Sequence, residues 1–447
     1  MESAVVATDV TTPARHRPLL FAIFTFWLVG LIDKFAFSTI LTDRAFLTEL
    51  GLVGHATAIG ALVSIAVFTQ ALGNAVFGWA VDRYGPRRCA LVGSCGWVLS
   101  CALAALAHAL PLLVVSRFLL GLCEGYTWPV GNALTARWFE PRRRARARGL
   151  WMSAVCVGPG LSGFLTAGLL GTFSWRGVFW CLALGSAALC VPLVLLFVRD
   201  TPPGAPIPPA AAPAAPVGTG EPGGGTAGPG GSDEPGGGTA GPGGSGERGG
   251  GAAGTGRFAA LRTGRFWLAT LAASGTTVAV WALAAWLPSY LVGYRHTPLR
   301  AFQLYVLTAY GIGLVTMLGY SHLVDRLRRR ARWLAASLWT CAGLLLVVGL
   351  VPSAPYLLLI AATIAIIYGI TLLLAQGFQD QMTPVGRVGT ENGLMNAVSN
   401  VLASVVPFAM GGLIEASGGS FASAFVFLFT LLAACGGGAF ALHRRGY

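Results

Sequence analysis

Four charged residues stand inside long apolar runs of this chain: Asp33 and Lys34, adjacent in GLIDKFAFS, and Arg117 and Glu124 in RFLLGLCE. A charge in hydrocarbon is costly and normally faces a partner or a polar cavity. Arg117 and Glu124 are spaced so that a helix puts them on one face, two turns or about 10 Å apart. Two arrangements suit such residues. One is a fixed ion pair that holds helices together. The other is a site where a cation holds an anion and a carboxyl binds and releases a proton. Low dielectric favours the neutral form of a carboxyl in general, and a nearby cation favours the charged form. An anion that occupies the cation therefore alters the carboxyl's protonation, which couples the two events. Charges in two separate runs favour this second arrangement. Lys34 is the only lysine among the 30 basic Lys and Arg residues. It offers one compact charge where arginine would offer a bidentate fork, unless it snorkels to the membrane surface.

The elements that position these residues follow from composition. With 55% hydrophobic and 11% charged residues, the chain is far more apolar than a soluble protein, in which about a quarter are charged. Apolar windows of roughly 20 residues, enough to cross about 30 Å of hydrocarbon, recur along nearly its whole length. They predict an all-α integral membrane protein with twelve transmembrane helices. The first window is long and lacks a small-residue cleavage site, so it reads as a retained helix. The net charge of +13 does not point to nucleic acid, because the arginines cluster after alternate spans, as at Arg83 to Arg88 and Arg137 to Arg148. Under the positive-inside rule these loops and both termini are cytoplasmic. The nine cysteines lie in or beside apolar spans and include no CxxC pair, so neither disulfides nor a metal site is expected.

Residues 200–257 switch to Pro, Gly, Ala and Ser and contain EPGGGTAGPGGS twice, at 221–232 and 234–245. This reads as a disordered cytoplasmic linker. It divides the chain into a tail (1–18), a six-helix bundle (19–199), the linker, a second six-helix bundle (258–442) and a short tail (443–447). Two similar bundles with a site between them at the membrane midplane are the layout of a secondary transporter.

Charge motifs repeat with the bundles. GWAVDRYGPRR, with Gly78, Asp82, Arg83, Gly85, Arg87 and Arg88, follows the second span, and SHLVDRLRRR, with Asp325 and Arg326, follows the eighth. Asp82 ends its own helix, where the dipole opposes it, so it should seek an outside positive partner. The whole pattern reads as a conformational latch. It resembles the cytoplasmic loop motif of the major facilitator superfamily, and the resemblance covers essentially the whole chain outside the linker. The second copy has Ser321 and Arg328 where glycines would stand.

Arg117 to Gly149 is similar to the fourth-helix signature of the anion:cation symporter branch, with Arg117, Gly121, Glu124, Pro129, Trp138, Phe139 and Pro141 in register. Arg142 to Arg144 replace the usual acid-base pair after the proline. That branch typically carries Asp-Arg in its first helix, so Asp33 matches and Lys34 substitutes another cation. The resemblance implies the major facilitator fold, Asp33 and Glu124 as proton carriers, and Lys34 and Arg117 as holders of a substrate's anionic group. Asn396 and Asn400 match the branch's eleventh-span pattern, and Gln376 and Gln379 lie in the tenth span. Substrate contacts are expected from Asn396, Asn400 and Gln376, and Tyr290 of WLPSYL is a further candidate, as a gate, against the plainer reading of an interfacial aromatic belt. The amides could equally join helices.

The expected function is proton-coupled uptake, by alternating access, of a small organic anion, a carboxylate such as a sugar acid or aromatic acid. The chain is expected to act as a monomer in the plasma membrane, with no cofactor beyond the coupling proton and no nucleic-acid partner. The alternative is a proton-coupled drug or metabolite exporter, suggested by Gly158, Pro159 and Gly163 in VGPGLSG, where Ser162 departs from the antiporter element. A non-transporting receptor would be expected to lose the buried acids. No catalytic constellation or nucleotide-binding loop suggests an enzyme.

Overall fold

The computed structural model describes residues 13–201, 263–324, 329–382 and 388–446. Asp325, Arg326 and the repeats of the linker lie outside the described residues, as does the side chain of Gln376. Among the described residues, 12 helices are long and apolar enough to cross a membrane. In the first half these are α1 (His16–Ile40), α2 (Ala56–Tyr84), α3 (Pro86–Ala105), α4 (Leu110–Trp138), α5 (Ala147–Leu170) and α6 (Trp175–Phe197). The second half contains α7 (Gly264–Tyr294), α8 (Leu299–Tyr320), α9 (Arg330–Leu350), α10 (Tyr356–Ala375), α11 (Leu394–Ala416) and α12 (Ala422–Arg444).

Packing repeats six helices later. In the first half α1 packs on α5, α2 on α4 and α3 on α6; in the second, α7 packs on α11, α8 on α10 and α9 on α12. The halves join chiefly through α2 with α11 and α5 with α8, a pairing with the same symmetry, and α1 also touches α7. Without a hydrophobic force between helices in lipid, such seams depend on close backbone approach. Gly60 of α2 faces the Pro407 carbonyl of α11, and Gly411 of α11 faces that of Ala56, each with no room for a Cβ. Gly158 in α5 is pressed on Leu31 in the same way.

At the end of the bundle distal to the termini, Glu415 of α11 caps α2 across the seam. Its Oε2 accepts the Thr57 backbone N–H at 2.9 Å, and its Oε1 lies 3.8 Å from His55 Nδ1. A carboxylate at a helix N-terminus is favoured by the dipole and the unpaired amides there. Beside it, Ser64 Oγ accepts the Phe408 N–H at 3.1 Å. On the other seam Gln303 Nε2 donates to the Phe164 carbonyl at 3.1 Å.

The end that bears the termini departs from one expectation. Asp82 is exposed and forms no hydrogen bond or ion pair among the described residues, and Arg83 lies over Trp79 and Tyr84. The carboxylate that meets a helix N-terminus here is Asp200, just beyond α6, whose Oδ1 accepts the Arg87 N–H of α3 at 2.8 Å. Arg87 also donates to the Leu195 carbonyl at 2.9 Å. Gly85 turns with φ +85°, and a Cβ there would strike the Asp200 carboxylate. Trp138 donates its indole N–H to the Arg199 carbonyl at 3.0 Å, so the conspicuous Trp-Phe pair ties the end of α4 to the same corner.

Two outcomes follow. Asp200→Ala removes a helix cap worth about 1 kcal/mol and should lower the apparent melting temperature of the purified protein, whereas Asp82→Ala should not. Gly60→Val should hold the distal ends of α2 and α11 apart, read as lost cross-linking between cysteines placed at those ends; undiminished cross-linking would refute the close-approach account.

Candidate functional site

The fourth helix breaks where its acid sits. Its two segments run Leu110–Glu124 and Thr127–Trp138, and Thr127 Oγ1 donates to the Glu124 carbonyl at 3.0 Å, satisfying the segment's end. Gly121 and Gly125 lie against α2 with no space for a Cβ, and Gly73 of α2 is equally tight against Leu122 and Gly125. Interrupted helices that line a site are a recurring feature of transporters.

Asp33 and Lys34 diverge because successive helical residues are turned by about 100°. Lys34 points toward the seam between the halves. Its Nζ is 2.9 Å from Glu124 Oε1, donates to Gln70 Oε1 at 3.3 Å, and lies 4.9 Å from the ring centroid of Trp281 on α7. The outward snorkel is therefore not its conformation. Asp33 is fully buried and faces α3, where its Oδ2 accepts Trp97 Nε1 at 2.8 Å and Cys101 Sγ at 3.4 Å. Trp97 and Cys101 are one turn apart, so one face of α3 supplies both donors. Among the described residues Asp33 Oδ1 has no hydrogen-bond partner.

Arg117 is 1% exposed. Its guanidinium lies 4.6 Å from the Phe37 ring centroid and 5.2 Å from that of Phe179, and it donates to Ser116 Oγ at 3.2 Å. Among the described residues its Nε is buried without a partner and it forms no ion pair. Lys34, Arg117 and Glu124 line one cavity, with Phe37 and Ser38 of α1 and with Trp281 across the seam. The structure thus brings together three of the four intramembrane charges, and Asp33 stands behind them.

The remaining candidates lie elsewhere. Asn400 Nδ2 donates to the carbonyl and Oδ1 of Asn396 at 2.9 and 3.2 Å, so these amides chiefly satisfy one another. Between them Ser399 meets Ser274 of α7 at 2.9 Å. Tyr290 is buried in an aromatic cluster with Tyr294, Phe421 and Phe425, and it accepts from Arg295 Nε at 2.9 Å. It borders a separate apolar cavity inside the second half. Sequence reasoning missed Gln70, Trp97 and Trp281. An amide inside an apolar span was a signal for Gln70; nothing distinguished the two tryptophans among 13.

Comparison with known proteins agrees with this architecture. Residues 19–407 match the Major Facilitator Superfamily. The probable sulfoacetate transporter of Cupriavidus necator is 25% identical over 83% of this chain and 81% of its own length. The hexuronate transporter of Bacillus subtilis is 28% identical over 41% of this chain and 43% of its own. A crystal structure of a bacterial homolog of the human lysosomal transporter Spinster, inward-facing and unoccupied, superposes with a TM-score of 0.69 at 15% identity, covering 97% of this chain and 98% of that one. With twelve membrane helices in two matched halves, the chain belongs to the Major Facilitator Superfamily and is a multi-pass membrane transporter, not an enzyme.

Proposed function

We propose that this transporter takes up a small organic anion together with protons, by alternating access. The observation that carries the reading is Arg117, a buried guanidinium with an unpartnered donor on the wall of the cavity that also holds Lys34. Buried donors are normally satisfied. A carboxylate entering this cavity supplies acceptors to Arg117 and can also take Lys34, and relatives named for sulfoacetate and hexuronate transport fit that chemistry.

Glu124 is the coupling group. It occupies Lys34, so an anion that binds Lys34 displaces the Glu124 carboxylate, and the displaced carboxylate is neutralised by a proton. Asp33 is a second proton-binding group, one step removed. The arginine-rich end faces the cytoplasm, and the chain works in the plasma membrane as a monomer. The seam capped by Glu415 is then the extracellular gate. Gly158, Pro159 and Gly163, which suggested an exporter, serve the packing of α5: Gly158 abuts Leu31 and Gly163 abuts Val306.

Proteoliposomes loaded at neutral pH and placed in acidic medium should accumulate organic anions, and a protonophore should abolish the accumulation. Expulsion of lipophilic cations without anion uptake would overturn the proposal in favour of the exporter. Glu124→Gln should abolish accumulation while sparing anion exchange; equal loss of both would count against its proton role. Lys34→Ala removes a charge-assisted contact of about 1.5–3 kcal/mol and should raise the KM for exchange roughly tenfold or more. Because Lys34→Ala also leaves Glu124 buried without its partner, adding Glu124→Gln should restore the folded yield but not the affinity.

A further inference from the structure

The charges of the cavity come from one half only. Lys34 extends from α1, and Arg117 and Glu124 from α4. The opposite wall, from α7, is Trp281 and Ala284, three residues apart and so on one helix face. Phe37, Val63, Ala66 and Leu120 complete the sides, and among the described residues Ser38 is the one uncharged polar side chain on the wall. Gln70, the nearby amide, already accepts from Lys34.

Trp281 is placed to read what is attached to a bound carboxylate. Its ring centroid is 4.9 Å from Lys34 Nζ, so an acid held by Lys34 carries its body onto or beside the indole. The other buried tryptophans mostly use their N–H in the fold: Trp97 donates to Asp33, Trp151 to Thr135 and Trp286 to the Pro407 carbonyl. Trp281 makes no such bond among the described residues. Ala282, Ala284 and Ala285 follow it on α7, and Ala279 precedes it by two residues.

We propose, resting on the organic-anion reading above, that the site selects a carboxylate with a flat, weakly hydrogen-bonding body, of the benzoate class, and that Trp281 is its specificity-determining residue. A polyhydroxylated sugar acid would bring several hydroxyls against Trp281, Ala284, Val63, Ala66 and Leu120, and hydroxyls buried without partners are strongly penalised. A planar ring instead stacks on the indole, an arrangement that adds to the area it buries.

The test is calorimetric binding of benzoate, gluconate and acetate to the purified full-length transporter, repeated with Trp281→Ala and Trp281→Phe. Benzoate should bind at least about tenfold more tightly than gluconate, the scale of a stacking contact together with an unmet hydroxyl. Trp281→Ala should lower benzoate affinity by a larger factor than acetate affinity, collapsing that ratio, and Trp281→Phe should keep most of it. Tighter binding of gluconate than benzoate, or equal loss of benzoate and acetate in Trp281→Ala, would overturn the assignment while leaving the organic-anion reading intact. If no acid binds the wild-type protein, both fall. Should Trp281→Ala fail to fold, the wild-type preference and Trp281→Phe decide.

Discussion

The ion pair between Lys34 and Glu124 organises this molecule because neither charge is tolerable alone in hydrocarbon. Removing one partner of a buried pair leaves an uncompensated charge, a far larger penalty than the pair itself represents. The 2.9 Å contact therefore fixes α1 against the break in α4. Gln70 extends the same ammonium to α2, and Trp281 extends it across the seam to α7. One side chain thus gathers four helices from both halves. A ligand or proton that releases it alters contacts in both halves at once, which is the requirement for coupling occupancy to motion.

That arrangement is possible only because the helices around it come unusually close. Gly73, Gly121 and Gly125 bring the backbones of α2 and α4 together where Glu124 must enter. Gly60 and Gly411 do the same for α2 and α11 at the seam. The helix that Glu415 caps is thus also the helix packed behind the acid, so displacement of Glu124 bears directly on α2. The distal cap from Glu415 belongs to the same element, at its other end.

Much of this was legible in the sequence, for particular reasons. Hydropathy and arginine placement depend on lipid and water, not on tertiary contacts, so the twelve spans could be read directly. Lys34, Arg117 and Glu124 were conspicuous because charges are rare inside such spans. What sequence could not convey was direction. Asp33 next to Lys34 suggested joint action, yet one step of helix sends Asp33 to Trp97 and Lys34 to the cavity. The loop motif likewise drew attention to Asp82, whereas packing of α3 on α6 brings Asp200, remote in sequence, to the start of α3. Trp281 acquires meaning only from the helix that faces it.

The two intramembrane acids consequently differ in kind. Glu124 shares its cavity with Arg117 and pairs with a cation that an incoming anion can claim. Asp33 is not among the residues that line that cavity; its Oδ2 is held by Trp97 and Cys101. Competition for a cation can operate only where anion and carboxylate meet the same ammonium, so the proposed coupling falls on Glu124.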